Sequence, residues 1–315
     1  MSGVSEGRAP VAVVGGGGFG QGIARAAARQ GLEVLLWSRS PRNLEGVKDT
    51  TSFVEVARAG LIFLAVPSPF VEAVAGEMGQ QLDGRHYLVH VSRGLVGDAL
   101  EPISLALRRV TPCRRVGALG GPLVAEALRD GTPSGAVVGT HFPEVADAVR
   151  AALGSEALRL YDTMDLVGVE VASAMVGLLA LGVGYGRAAG AGPAALALVL
   201  TRGMAEAARL APSLGADPQT LSGLAGHGDL LAVMAGDERP EVRLGRALAE
   251  GRSLDEAARE AGAHIEGVKL ASRLAAHAER LGLEAPICRT IVDVLEGTPA
   301  QDAIRALMAR DAGTE

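Results

Sequence analysis

The stretch Val11-Ala12-Val13-Val14-Gly15-Gly16-Gly17-Gly18-Phe19-Gly20 constrains the fold of this chain more than any other segment. Four consecutive apolar residues predict a buried strand, and the run Gln21 to Gln30 predicts a helix. Between them, Gly15, Gly17 and Gly20 have the spacing of a dinucleotide-binding turn. Gly15 permits the tight turn, Gly17 lets the backbone approach a pyrophosphate, and Gly20 allows close packing of helix on strand. The N-terminus of that helix adds free N–H donors and partial positive charge, with Gly18 and Phe19 among the candidate cofactor contacts. No Gly-Lys-Ser/Thr follows, so a nucleoside triphosphate loop is excluded.

Short apolar runs recur downstream at 33–37, 61–66, 87–91, 116–119, 136–138 and 158–161, separated by helical patterns. This alternation predicts an α/β Rossmann-type domain over residues 11–164, with a largely parallel sheet, after a short flexible N-terminus at 1–10. From residue 165 to 315 the strand signal stops and Ala- and Leu-rich helical spacing takes over, which predicts an all-helical second domain. Within it, 168–184 is almost wholly apolar and small, a pattern suited to a buried core helix. A chain of 315 residues is long enough for two such cores.

The formal net charge is −6 and no basic run interrupts the mixed-sign surface, so neither a nucleic acid nor an anionic membrane partner is expected. No uninterrupted apolar run reaches the roughly 20 residues of a membrane span. The two cysteines, Cys113 and Cys288, lack disulfide or metal spacing, which fits a reducing cytoplasm. His86, His141, His264 and His277 show no ligand spacing either, and no metal site is expected. His90, on a buried strand, reads as a packed residue.

The second strand ends at Leu36-Trp37-Ser38-Arg39, without the Asp or Glu that would accept the ribose hydroxyls of NAD. Ser38 and Arg39 instead suit a 2′-phosphate, so NADP(H) is favoured over NAD(H). The alternative is that Arg39 is a solvated loop residue.

Taken together, these landmarks resemble the bacterial NAD(P)-dependent glycerol-3-phosphate dehydrogenases across nearly the whole chain. Beyond the glycine turn, the resemblance rests on Leu36-Trp37, Ala65-Val66-Pro67-Ser68, Ser92-Arg93-Gly94-Leu95 and Gly121-Pro122-Leu123-Val124-Ala125-Glu126. It continues through Gly168-Val169-Glu170, Thr201-Arg202-Gly203-Met204-Ala205-Glu206, Gly226-His227-Gly228-Asp229-Leu230 and Ile265-Glu266-Gly267. The resemblance implies a helical domain similar to the C-terminal domain of 6-phosphogluconate dehydrogenase. It adds Pro67 and Glu266 to the candidate cofactor contacts and makes Arg93 and Arg202 candidate substrate ligands, with the alternative that Arg93 only pairs with a nearby acid. The small, apolar helices of that domain are consistent with a homodimer.

The family reduces dihydroxyacetone phosphate with a Lys-Asn pair on the buried helix, the lysine moving the proton at the carbonyl oxygen. Val176-Gly177 stand at those places, and no gap separates Gly168 from Thr201 in the comparison. The family's phosphate ligands correspond to Val233 and Pro240-Glu241, leaving Arg239 and Arg243 as the local positive charges, and Pro193-Ala194 replace a further Asp-Asn. These replacements predict a rewritten substrate site and poor reduction of the family substrate. Two main readings follow from them, beside a third in which glycerol-3-phosphate dehydrogenase activity persists through a re-registered loop with a new proton donor and a new phosphate ligand. One is an NADPH-dependent reductase of another carbonyl compound, with its proton from His227, Asp229 or water. The other is a catalytically inactive dinucleotide-binding sensor or regulator, with a partner the sequence does not identify. Asp229 itself could serve proton transfer or cap the helix beginning at Leu230.

Overall fold

A computed structural model describes residues 9–236, 239–262 and 266–310. Most of the expected N-terminal arm therefore lies outside the described residues. Eight strands form one sheet: β1 (Val11–Val14), β2 (Val34–Trp37), β3 (Lys48–Thr50), β4 (Leu61–Leu64), β5 (Tyr87–His90), β6 (Arg115–Gly120), β7 (Ser134–Thr140) and β8 (Leu158–Thr163). Their order is β3-β2-β1-β4-β5-β6-β7-β8. All neighbours are parallel except β6 and β7, so the sheet reverses direction once. The strands β1 and β4 are buried throughout, as expected when helices cover both faces of a parallel sheet. Because β1 sits between β2 and β4, the chain leaves β1 on alternate sides, which opens a crevice at the carboxyl ends of the strands.

The helical half begins at once after the sheet. Asp165 caps the helix Leu166–Ala188, accepting from the Gly168 amide at 2.9 Å, and its other oxygen takes the Thr220 hydroxyl at 2.7 Å. This helix is long and apolar enough to cross a bilayer by length and composition, which the count of uninterrupted apolar residues did not foresee, because the helix includes Glu170 and Arg187. Inside the protein, 89% of its most apolar window is buried. It packs most intimately on the helix Pro240–Ala249. Contact is possible because glycine faces backbone on both sides. A Cβ at Gly184 would stand 1.9 Å from the Val242 carbonyl oxygen, and one at Gly245 would stand 2.0 Å from that of Leu181.

The two halves share one core. Leu95 and Leu100, from the loop after β5, and Ala118 and Val137, from the sheet, join the apolar cluster built around Leu166–Ala188. Leu100 reaches it with φ of 55°, a left-handed conformation that costs a branched side chain on the order of 1 kcal/mol. Deeper in the helical half, the buried carboxylate of Glu206 accepts the amides of Ile287 and Cys288 at 2.8 and 2.9 Å, closing the start of helix Pro286–Leu295. Burial pushes its pKa up despite these bonds.

Candidate active site

The glycine turn has the geometry its spacing predicts. Gly15 adopts φ of 125°, and a Cβ there would fall 2.3 Å from the Ala65 carbonyl oxygen. A Cβ on Gly20 would stand 1.9 Å from the Gly15 carbonyl oxygen, so glycine is required for the helix Gly18–Arg29 to start this close to β1. At Gly17, by contrast, nothing among the described residues lies within 4 Å of the position a Cβ would take. The helix also starts without a side-chain cap. An exposed glycine in front of uncapped helix amides fits the pyrophosphate of a dinucleotide. Phe19 is half-buried against the sheet core, and Pro67 is exposed ahead of the short turn Ser68–Phe70.

At the end of β2, Ser38 is 4% exposed and its hydroxyl donates to the Ser40 carbonyl, while Arg39 is exposed. Sequence reasoning missed a third residue here. The side chain of Arg42 crosses Gly16, with its Nε 2.6 Å from where a Cβ of Gly16 would be, beside Ser38 Cβ at 2.6 Å. The Asp49 carboxylate fixes the loop by accepting the amides of Arg42 and Asn43 at 3.0 and 2.8 Å. No periodicity or motif marks Arg42. Only its proximity in space to Gly16 does.

Across the crevice, Asp229 gathers two arginines distant in the chain. Arg93 Nη1 donates to Oδ2 at 2.7 Å and Arg239 Nη2 donates to Oδ1 at 2.9 Å. The carboxylate is fully buried, the Arg239 side chain nearly so, and that of Arg93 is 25% exposed. A π-helical turn at Leu224–Gly228 runs directly into the helix Asp229–Met234, and Arg187 holds the far end of that helix by donating to the Met234 carbonyl at 3.0 Å. Asp229 is therefore helical itself, and the expected capping role is not observed. The continuous turn moves the cap position back to Gly228, and the Asp229 carboxylate goes to Arg93 and Arg239.

Val176 is fully buried in the shared core. Its neighbour Gly177 faces the cleft group, where a Cβ would meet Glu241 Oε1 at 3.8 Å and Arg93 Cδ at 3.9 Å. Arg93, Asp229, Arg239, Glu241 and Gly177 thus form one cluster. His227 is exposed, two residues from the buried Asp229. Arg202 is half-buried on the helix Pro193–Leu210, with no hydrogen bond among the described residues, and is not joined to the cluster. Glu266 begins the helix Glu266–Arg280, but its side chain lies outside the described residues.

Comparison with known proteins gives a consistent result over both halves. Family models for the N-terminus and the C-terminus of NAD-dependent glycerol-3-phosphate dehydrogenase match residues 41–146 and 165–305. Residues 10–64, with the glycine turn, match the NAD-binding domain of 3-hydroxyacyl-CoA dehydrogenase. The glycerol-3-phosphate dehydrogenase (NAD(P)+) of Ectopseudomonas mendocina is 33% identical, covering 97% of this chain and 96% of the relative. That of Azotobacter vinelandii is 31% identical over 98% and 96%. The solved glycerol-3-phosphate dehydrogenase of Coxiella burnetii superposes with a TM-score of 0.88 at 25% identity, covering 96% of this chain and 99% of that one.

This full-length likeness overturns the expectation of a rewritten substrate site, and with it both the different carbonyl substrate and the inactive sensor. That expectation rested on a few positions, Val176-Gly177, Val233, Pro240-Glu241 and Pro193-Ala194. The likeness extends through the entire helical half, and the cleft beside Gly177 is lined with charged groups contributed by other segments.

Proposed function

As the chain belongs to the NAD-dependent glycerol-3-phosphate dehydrogenase family, we propose that it interconverts glycerol 3-phosphate and dihydroxyacetone phosphate with a nicotinamide dinucleotide. The observation that carries this reading is the identity of 33% over 97% of the chain with a dehydrogenase of that activity. The dinucleotide, when bound, supplies or accepts the hydride. The protein contributes binding, orientation and charge. The turn from Gly15 to Gly20 receives the pyrophosphate through backbone amides, with Phe19 in the turn and Pro67 beside it.

Arg93 is the substrate-facing charge in this reading, with Asp229 fixing its guanidinium and its Cδ lying beside Gly177. A preorganised cation there stabilises negative charge developing on the substrate oxygen and attracts the phosphate. Asp229 orients Arg93 and Arg239 together, so its role is exerted through them.

The cofactor is NADP(H) in preference to NAD(H). Ser38, Arg39 and Arg42 surround the place where β2 ends beside Gly16, and two guanidinium groups with no carboxylate at Ser38 favour a 2′-phosphate over ribose hydroxyls. The test is to follow oxidation of NADPH and NADH by the purified protein on adding dihydroxyacetone phosphate. Saturable oxidation that is faster with NADPH is expected. No oxidation above the rate without the ketone would overturn the assignment.

A further inference from the structure

We propose that His90, Glu170 and Ser104 form a buried clamp between the two domains that sets the position of Arg93. This rests on the reading of Arg93 given above. His90 Nε2 lies 3.0 Å from Glu170 Oε1. The Ser104 amide donates to the same oxygen at 2.6 Å, and its hydroxyl donates to Oε2 at 2.7 Å. All three residues are at most 2% exposed. The clamp therefore joins β5 and the helix Ile103–Val110, on the sheet side, to the helix Leu166–Ala188. A carboxylate this deeply buried holds its place only while its hydrogen bonds persist.

The clamp and the cleft are two ends of the same span. From His90 to Arg93 the chain advances three residues, about 10 Å if extended. From Glu170 to Gly177 the helix rises seven residues, about 10.5 Å, and residues seven apart share a helix face. The two paths touch at both ends, through His90 with Glu170 and through Arg93 with the space over Gly177. Between them the chain is seated by the Ser92 hydroxyl on the Val66 carbonyl at 2.6 Å, and beyond Arg93 by Leu95 in the shared core. Moving the lower contact therefore moves Arg93 relative to the helix that forms the other wall.

His90 itself shows that the bond matters beyond packing. Its Nδ1 is buried with no hydrogen-bond partner among the described residues, a cost that an apolar side chain of similar size would avoid. His86, four residues earlier, has both ring nitrogens engaged, with Asp83 and with the Ala57 carbonyl. The unpartnered nitrogen of His90 is tolerated because Nε2 is directed to Glu170. His90 and Glu170 are positioning residues, acting through Arg93.

The test compares His90→Phe, which keeps the volume and loses the bond, with His90→Gln, which restores an N–H toward Glu170. Hydrogen exchange of the segment 91–101 and steady-state kinetics with dihydroxyacetone phosphate are measured on folded protein, together with NADPH affinity. For His90→Phe we expect faster exchange in 91–101, a fall in kcat/KM of about 10- to 100-fold, and unchanged NADPH affinity. His90→Gln recovers most of both effects. If His90→Phe does not fold, Ser104→Ala removes one bond and is expected to change the same readouts in the same direction. Wild-type exchange and kinetics in the folded variants would overturn the clamp. If the unmodified protein does not turn over dihydroxyacetone phosphate, the proposed function fails, and exchange in 91–101 still decides the clamp.

Discussion

Asp229 accepts Arg93 on one carboxylate oxygen and Arg239 on the other, at 2.7 and 2.9 Å, so one buried anion ties the loop after β5 to two segments of the helical half. Replacing Asp229 by Asn removes the buried negative charge that the nearly buried Arg239 guanidinium and Arg93 both contact. A loss of about 3 kcal/mol in unfolding free energy by urea titration is expected, accompanied by reduced turnover. A loss well under about 1 kcal/mol would mean that solvent screens both pairs.

Gly17→Ala separates binding from folding. Its added methyl meets no atom of the described residues within 4 Å, so the urea midpoint should match that of the unmodified protein. The same methyl occupies the approach of the pyrophosphate, and dinucleotide affinity should fall by at least about tenfold in a fluorescence titration. Unchanged affinity would place the pyrophosphate elsewhere.

Arg42→Ala should weaken NADPH binding by roughly 10- to 100-fold, the worth of one charge-assisted hydrogen bond, and leave NADH binding nearly unchanged. Arg39→Ala provides the comparison. If Arg39→Ala alone alters the preference, the exposed arginine is the phosphate ligand and Arg42 only covers Gly16.

Glu206 makes stability depend on pH in a defined direction. Burial raises its folded pKa above the ordinary 4.5, so its favourable contribution is fully present below that value and is lost as pH rises through the raised folded value. In Glu206→Gln this component disappears. Urea titrations from about pH 4 upward should show the difference between the two proteins changing across that interval and levelling off above it. A constant offset, from the amide mispaired with the Ile287 or Cys288 N–H, is expected at every pH. A difference that remains constant throughout would show that Glu206 does not titrate differently on folding.

Strands such as β1 and β4 were legible because an uninterrupted apolar run reports burial on both faces of a sheet. β3 was not, since Lys48-Asp49-Thr50 has no apolar run and pairs only with β2 at the sheet edge. The reversal at β7 left no trace in composition. At the site, Gly15, Gly17 and Gly20 could be read because their spacing is local, whereas Arg93 and Asp229 stand 136 residues apart and meet only through the fold. Arg239 was considered as a charge for phosphate, but its partner Asp229 was invisible without the π-helical turn that aims it. His90 was expected to be merely packed, and its bond to Glu170 joins segments 80 residues apart.

The insertion of Leu95 and Leu100 into the helical core also bears on how this molecule can move. A cleft lined by two bodies with separate interiors could gape at the expense of a few surface contacts. Here, widening it would draw two leucines out of a packed interior, at about 2 to 3 kcal/mol each. Shifts of side chains and short loops around the crevice would admit a ligand without that cost.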